Sequence, residues 1–403
     1  MKVTPKVSMT LKAFSYRFYP TPEQESLLRR ILGCTRLVYN RALAARTEAW
    51  YKDQKRVGYA ETSSMLTEWK KTEELDFLNE VSCVPLQQCL RHLQTALSNF
   101  FDGRAKYPNF KKKRNGGSAE FTKSAFKFKN GQVYLAKCTQ ALPIRWSRML
   151  PVGATPSTIT VKLSQSGRWS VSLLVDVEIE ALPVSDNQVG IDLGIASLLT
   201  LGTGEKIANP KGFKAKYRKL RRAQKSLSRK QKGSNNRHKA RLKVARVHQE
   251  ITDARKDNLH KLTTRLVREN QRIAIEDLAV KNMVKNRKLA LAISDASWGE
   301  LVRQLEYKCN WYGRTLIKID RWFPSSKRCG NCGHIVEKMP LNIREWDCPK
   351  CGTHHDRDIN AARNILAAGL AVSVCGATVR PEQSKSVKAG AKPRQGQKQK
   401  PKQ

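Results

Sequence analysis

Residues 187–201 read NQVGIDLGIASLLTL, and how this stretch folds decides the class of the C-terminal half. Residues 189–195 and 198–201 are two apolar runs of strand length, expected to pair with each other. Downstream, helical spacing continues to about residue 270, and residues 272–278 form another short apolar strand. A helix is expected over 297–312, with Leu301, Leu305 and Trp311 on its apolar side, followed by a strand over 315–319. Strands alternating with helices predict a mixed α/β sheet. Asp192 stands inside the first run, in a strand too apolar to be exposed on both faces. A carboxylate left uncompensated there would cost several kcal/mol or hold a proton.

Upstream the pattern differs. Residues 11–19 alternate Phe14, Tyr16 and Phe18 with polar neighbours, the period of a half-buried strand. Thr21-Pro22-Glu23-Gln24 follows, an N-cap, a proline at the first helical position and a capping-box glutamine. Helical patterns run on through 61–72 and 84–101, where Leu86, Leu90, Leu93, Leu97 and Phe101 form one apolar stripe suited to core packing. Gly, Pro and the basic run Lys111, Lys112, Lys113 and Arg114 mark a loop over 103–117. Short strands occupy 119–180, with hairpin turns expected at Asn130-Gly131 and Ser166-Gly167. A strand, a helical insert and then more strands predict a β-barrel interrupted by a helical lobe.

The composition points to a polyanion. Among 403 residues there are 76 Lys and Arg against 34 Asp and Glu, a net charge of +42. A surface this basic repels itself unless it faces nucleic acid. Mean hydropathy is −0.56, and no run approaches the roughly 20 apolar residues that span a bilayer. The opening MKVTPKVSMTLK lacks the apolar core of a signal peptide, so the chain is expected to stay where it is made. From Lys211 to Gln249 there are 16 Lys or Arg and no acid. Lys214, Arg218, Arg221, Arg222, Lys225 and Arg229 lead this stretch as expected phosphate contacts, together with residues 111–114. Residues 380–403 read as a disordered basic tail.

Four of the ten cysteines carry chemistry. Cys329-x-x-Cys332 and Cys348-x-x-Cys351 have the spacing of a zinc ribbon, with glycines or proline at each knuckle. A closed four-thiolate shell leaves no position for substrate, so the expected Zn²⁺ is structural. His334, His354 and His355 are near in sequence but not needed to complete it. Cys34, Cys83, Cys89, Cys138, Cys309 and Cys375 lack such spacing, and burial suits most of them.

Acids are scarce, so those within apolar runs are informative. Besides Asp192 there is Glu276, ending RIAIE, and Asp358, in Asp356-Arg357-Asp358 before an Ala-rich helix. Singly, Asp192 or Glu276 could meet an Arg or Lys, and Asp358 could cap its helix. Together, on two strands and one helix start of one α/β unit, they favour two Mg²⁺ ions about 4 Å apart clamping a phosphodiester. Asp277 should point away from Glu276 by strand alternation.

These residues carry a family resemblance over roughly residues 9–372. Leu37-Val38-Tyr39-Asn40, Tyr107-Pro108-Asn109-Phe110-Lys111, Gly190-Ile191-Asp192-Leu193-Gly194, Glu276-Asp277-Leu278, Ser294-Asp295-Ala296-Ser297-Trp298, Phe323-Pro324-Ser325-Ser326 and Asp356-Arg357-Asp358-Ile359-Asn360-Ala361-Ala362 resemble TnpB, the OrfB-type protein of insertion sequences and a relative of type V CRISPR effectors. The resemblance implies a multi-domain α+β chain. A wedge-like β-barrel domain (1–19 and 119–186) would hold a helical recognition lobe (20–118). A RuvC nuclease of ribonuclease H-like fold (187–328 and 353–372) would carry an inserted zinc ribbon (329–352), with a basic tail over 373–403. It implies Asp192, Glu276 and Asp358 as catalytic metal ligands, a choice between Asp356 and Asp358 that spacing leaves open. It implies further a transposon-encoded guide RNA, a double-stranded target DNA read beside a short flanking motif, and no small-molecule or membrane partner. The setting would be the cytoplasm of a bacterium or archaeon, at the nucleoid. The first eight residues would be an extension or the product of a mis-chosen start. Relatives lacking the acids act as RNA-guided repressors, and a transposase acting directly on transposon ends is the remaining alternative; all three acids stand here.

Overall fold

The computed structural model describes residues 7–210, 212–340 and 342–374. Most of the expected N-terminal extension, Lys211, Cys375 and the basic tail over 380–403 lie outside the described residues. Contacts divide the chain into two compact units. One joins Met1–Asn187, Asn209–Gln271 and Val280–Thr315; the other joins Gln188–Ala208, Arg272–Ala279 and Leu316–Gln403. This division interleaves with the boundaries drawn from sequence, because the helices that follow residue 208 pack within the first unit.

In the first unit β1 (Val7–Phe18) leads into α1 (Pro22–Asp53), α2 (Tyr59–Trp69) and α3 (Cys83–Phe101). Strands β2 (Gly117–Thr122), β3 (Phe126–Lys129), β4 (Gln132–Leu135), β5 (Ile144–Arg145), β6 (Pro156–Leu163) and β7 (Trp169–Glu180) follow. The expected alternation holds in β1: Phe14, Tyr16 and Phe18 are buried, each such Phe contributing about 2 kcal/mol. At the start of α1 the Thr21 hydroxyl accepts from the Gln24 amide at 3.3 Å while the Gln24 side chain accepts from the Thr21 amide at 3.2 Å, a reciprocal cap. Asn130 and Gly131 both take positive φ, 52° and 70°, and close the β3–β4 hairpin between Lys129 and Gln132.

The main sheet runs β2-β6-β7-β1-β5. Where sequence predicted a barrel, its hydrogen-bonded order has two edges, and the two-residue β5 is one of them. Leu86, Leu90, Leu93 and Leu97 are buried as expected, but Phe101, the last residue of α3, is 67% exposed. The unit also contains α4 (Gly212–Ser228), α5 (Asn235–Glu269), α6 (Val280–Met283), α7 (Ala290–Ala296) and α8 (Trp298–Tyr312). Leu220 of α4 packs on Val247 and Ile251 of α5, making a two-helix hairpin.

The second unit is a sheet ordered β10-β9-β8-β11-β12, formed by β8 (Gln188–Leu193), β9 (Ser197–Leu201), β10 (Lys206–Ala208), β11 (Arg272–Glu276) and β12 (Thr315–Ile319), followed by β13 (Glu345–Asp347), β14 (His354–Asp356) and α9 (Arg357–Val374). β8 and β9 are antiparallel neighbours, as the opening stretch predicts, and β11 lies parallel to β8 with Ile275 beside Ile191. Helix α9 packs across β8, β9 and β11. It comes so close that a Cβ on Gly190 would stand 2.0 Å from the Ala362 carbonyl oxygen. The first glycine of Gly-Ile-Asp-Leu-Gly is therefore what lets the helix cross there.

Candidate metal centre and nucleic-acid interface

The parallel register of β8 and β11 sets the geometry of the acids. Asp192 and Glu276 each follow a register-matched isoleucine, so they stand side by side at the same end of adjacent strands. Asp358 lies in the first turn of α9. Asp192 is half-buried, and its carboxyl is pushed up to about 7, first by that burial and then by the negative charges of Glu276 and Asp358. Burial also raises Glu276, against a hydrogen bond from the Ser325 hydroxyl that pulls it back. Among the described residues neither Asp192 nor Glu276 forms an ion pair with a basic side chain within 4 Å, although the Arg357 charge acts on Asp192 and partly offsets the upward push.

The neighbouring acids are engaged elsewhere. Asp277 pairs with Arg321. Asp356 caps α9 by accepting from the amides of Asp358 and Ile359, both at 3.0 Å, and pairs with Lys206 at 2.5 Å. Capping thus falls to Asp356 and leaves the Asp358 carboxylate facing Arg344 at a loose 3.5 Å. Three oxygen donors of this hardness fit Mg²⁺.

The four cysteines do come together. Among the described residues, the donor atoms of Cys329, Cys332, Cys348 and Cys351 all lie within 4.8 Å of one another, close enough to hold one metal ion. Sulphur–sulphur distances of 3.7 Å (Cys329 to Cys351) and 3.6 Å (Cys332 to Cys348) match the ~3.8 Å edge of a zinc–thiolate tetrahedron with ~2.3 Å bonds. Each knuckle is a tight turn: the Gly333 amide donates to the Cys329 carbonyl at 3.0 Å and the Gly352 amide to the Cys348 carbonyl at 2.8 Å. Both glycines take positive φ. The Thr353 hydroxyl and amide pull the Cys351 thiol down, while the neighbouring thiols push Cys332 up, as expected when one negative charge is shared within a cluster of thiols. Of the nearby histidines, buried His355 brings Nε2 to 3.0 Å from the Cys329 sulphur, while His354 turns to Asp347 at 2.8 Å.

The basic residues sort unevenly. Lys214, Arg218, Arg221, Arg222, Lys225 and Arg229 are exposed, with no acid paired to them among the described residues. Glu250, one residue beyond the acid-free stretch, neutralises Lys216 and Lys219 at 3.0 Å each. Lys111 folds back with Nζ 3.9 Å from the centre of the Tyr39 ring, while Asn40 grips its backbone. Lys112, Lys113 and Arg114 remain exposed. Arg114 joins Lys232, Arg237, His238 and Arg241 around a cleft of about 470 Å³, so the two basic clusters meet there.

Sequence reasoning missed a second basic cleft of about 500 Å³, lined by Ser15, Arg17, Arg145, Ser147, Lys162, Ser170 and Lys256. These residues are scattered over β1, β5, β6 and β7, with Ser147 just after β5 and Lys256 on α5, and carry no local signature. Alternation marks only the strand residues among them, as polar positions of their strands.

Comparison with known proteins follows the same outline. The OrfB model of IS605-type elements, described as "Probable transposase", matches residues 170–287. A "Cas12f1-like, TNB domain" model matches residues 298–365. An OrfB "Helix-turn-helix domain" matches residues 9–55, where the structure has β1 and the single long helix α1. A "Putative RNA-guided DNA endonuclease" of Streptomyces pristinaespiralis is 62% identical over 93% of each chain. The "Putative RNA-guided DNA endonuclease InsQ" of Escherichia coli K12 is 35% identical over 92% of this chain and 95% of its own. The protein in a cryo-EM structure of a Cas12f1–sgRNA–target DNA complex shares the fold, with a TM-score of 0.56 and 14% identity over 89% of this chain and 98% of that one.

Proposed function

The chain belongs to the TnpB family of OrfB-type insertion-sequence proteins, and from that premise we propose that it is an RNA-guided DNA endonuclease. The observation that carries this reading is that Asp192, Glu276 and Asp358 stand on β8, β11 and α9 of one unit, in a chain of net charge +42, with the negative charges of Glu276 and Asp358 both acting on Asp192. The second unit is read as a RuvC nuclease: an antiparallel β10-β9-β8 meander extended by parallel β11, with α9 across it, is the arrangement of ribonuclease H-like folds. The four-cysteine cluster is its zinc ribbon, and the β1–β7 sheet with α1–α3 its wedge and recognition lobe.

Asp192, Glu276 and Asp358 would hold Mg²⁺, which when bound activates water and neutralises charge at the scissile phosphate. Hydrolysis adds the oxygen of a water to phosphorus and breaks one phosphorus–oxygen ester bond. For this the chain's residues fix the carboxylates against rigid strands and one helix, so little reorganisation is needed. The guide RNA would read sequence by base pairing while the protein holds backbones. Exposed α4 cations and the serine- and arginine-lined cleft of the first unit suit that task, offering charge and hydroxyl donors to phosphates.

The test is to purify the chain from its host, sequence any bound RNA, and challenge plasmids with Mg²⁺. A discrete RNA and cleavage only of matched plasmids is the expected result. Absence of a copurifying RNA would refute the reading, and cleavage without RNA would favour a transposase.

A further inference from the structure

Glu276 differs from the other two acids in length. Each aspartate has two side-chain torsions to fix, whereas glutamate has three, so a carboxylate that must wait in one place needs an external hold. The structure supplies one: the Ser325 hydroxyl donates to Glu276 Oε1, which leaves Oε2 without a hydrogen bond from Ser325. Ser325 is itself buried, in a turn closed by the Lys327 and Arg328 amides donating to the Pro324 carbonyl.

That turn is clamped from α9. Buried Asn364 donates to the Ser325 carbonyl at 2.8 Å and to the Arg328 carbonyl at 2.6 Å. One helical turn earlier, buried Asn360 donates to the same Arg328 carbonyl at 2.7 Å and accepts from the Gly330 amide at 2.9 Å. Helix α9 therefore presents Asp358 directly and, through Asn360 and Asn364, grips the segment from Ser325 to the first zinc knuckle at Cys329. Gly330 permits the approach, since a Cβ there would stand 2.9 Å from Asn360 Oδ1.

We infer that Ser325 is a positioning residue for Glu276, held in register by Asn360 and Asn364, so that the first zinc knuckle and the catalytic carboxylates form one hydrogen-bonded assembly. The inference rests on the nuclease reading above. Partners of this kind alter metal affinity by about 10–100-fold in known sites.

The test uses the full chain with its copurified RNA and the variants Ser325→Ala, Ser325→Thr and Asn364→Ala. Three quantities are measured: the Mg²⁺ concentration that half-saturates cleavage, Mn²⁺ binding followed by electron paramagnetic resonance, and zinc content. Expected is a roughly tenfold rise in half-saturating Mg²⁺ and a matching loss of Mn²⁺ affinity for Ser325→Ala, with a smaller loss for Asn364→Ala. Full zinc content and wild-type behaviour of Ser325→Thr, which keeps the hydroxyl, are expected too. Wild-type metal affinity in Ser325→Ala would overturn the inference. So would Ser325→Thr as weak as the alanine variant, or loss of zinc from Ser325→Ala, either of which assigns Ser325 to loop structure alone. A wild-type protein that cuts at no Mg²⁺ concentration would instead refute the nuclease reading.

Discussion

Asp192 is the residue on which charge and burial meet most sharply. Its carboxyl titrates near 7 in the folded chain, against an ordinary 3.8. Between those values the folded state keeps a proton that the unfolded chain has released, so the contribution to metal-free stability falls as pH rises from about 4 to about 7. On the proposed reading, a divalent cation bound by Asp192 would reverse the balance by replacing that proton. Saturating Mg²⁺ should therefore raise the melting temperature more at about pH 8 than at about pH 6, with affinity falling up to about tenfold per unit of pH below 7. A Mg²⁺-induced shift independent of pH would contradict this. Sequence could mark Asp192 as a misfit in an apolar strand. It could not decide between Asp356 and Asp358, because the deciding contacts, the cap on α9 and the pair with Lys206, involve one bond to a strand 150 residues away.

At the scale of elements, local patterns were legible and meetings between distant elements were not. The capping box of α1, the Asn130-Gly131 hairpin and the β8–β9 pair each depend on residues close in sequence, and each formed as expected. Phe101 is exposed because the stripe of α3 outruns the surface it packs on. The Ser325 contact with Glu276 joins residues 49 apart, and nothing in either segment announces the other. The crossing of α9 over β8 is the most exacting of these meetings. Gly190→Ala would drive a methyl into the Ala362 carbonyl, and overpacking of this sort costs about 1–3 kcal/mol or more. The variant should melt several degrees lower with zinc content intact; an unchanged melting temperature would show that the helix can lift away freely.

For the whole molecule, the excess of positive charge is divided among separate surfaces rather than spread evenly. Glu250 and Asp253 neutralise part of it within the first unit, while the outer face of α4 stays cationic. Replacing Arg221, Arg222, Lys225 and Arg229 by Gln should weaken RNA binding and flatten its salt dependence, by about one unit of log–log slope for each phosphate no longer neutralised. An unchanged slope would mean that face is merely solvated. Among the described residues no helix is long and apolar enough to cross a membrane. Composition points to a polyanion; the two clefts depend on which strand and helix faces meet, information that a net charge does not contain.

The central claim, that an acidic centre in a basic, RNA-carrying chain cuts DNA, is tested most directly by comparing purified wild-type and Asp192→Ala ribonucleoproteins on a matched plasmid with Mg²⁺. Removing one ligand should forfeit several kcal/mol of charge stabilisation, on the order of 10³-fold in rate, while guide-dependent DNA binding persists. Undiminished cutting by the Asp192→Ala protein would contradict it.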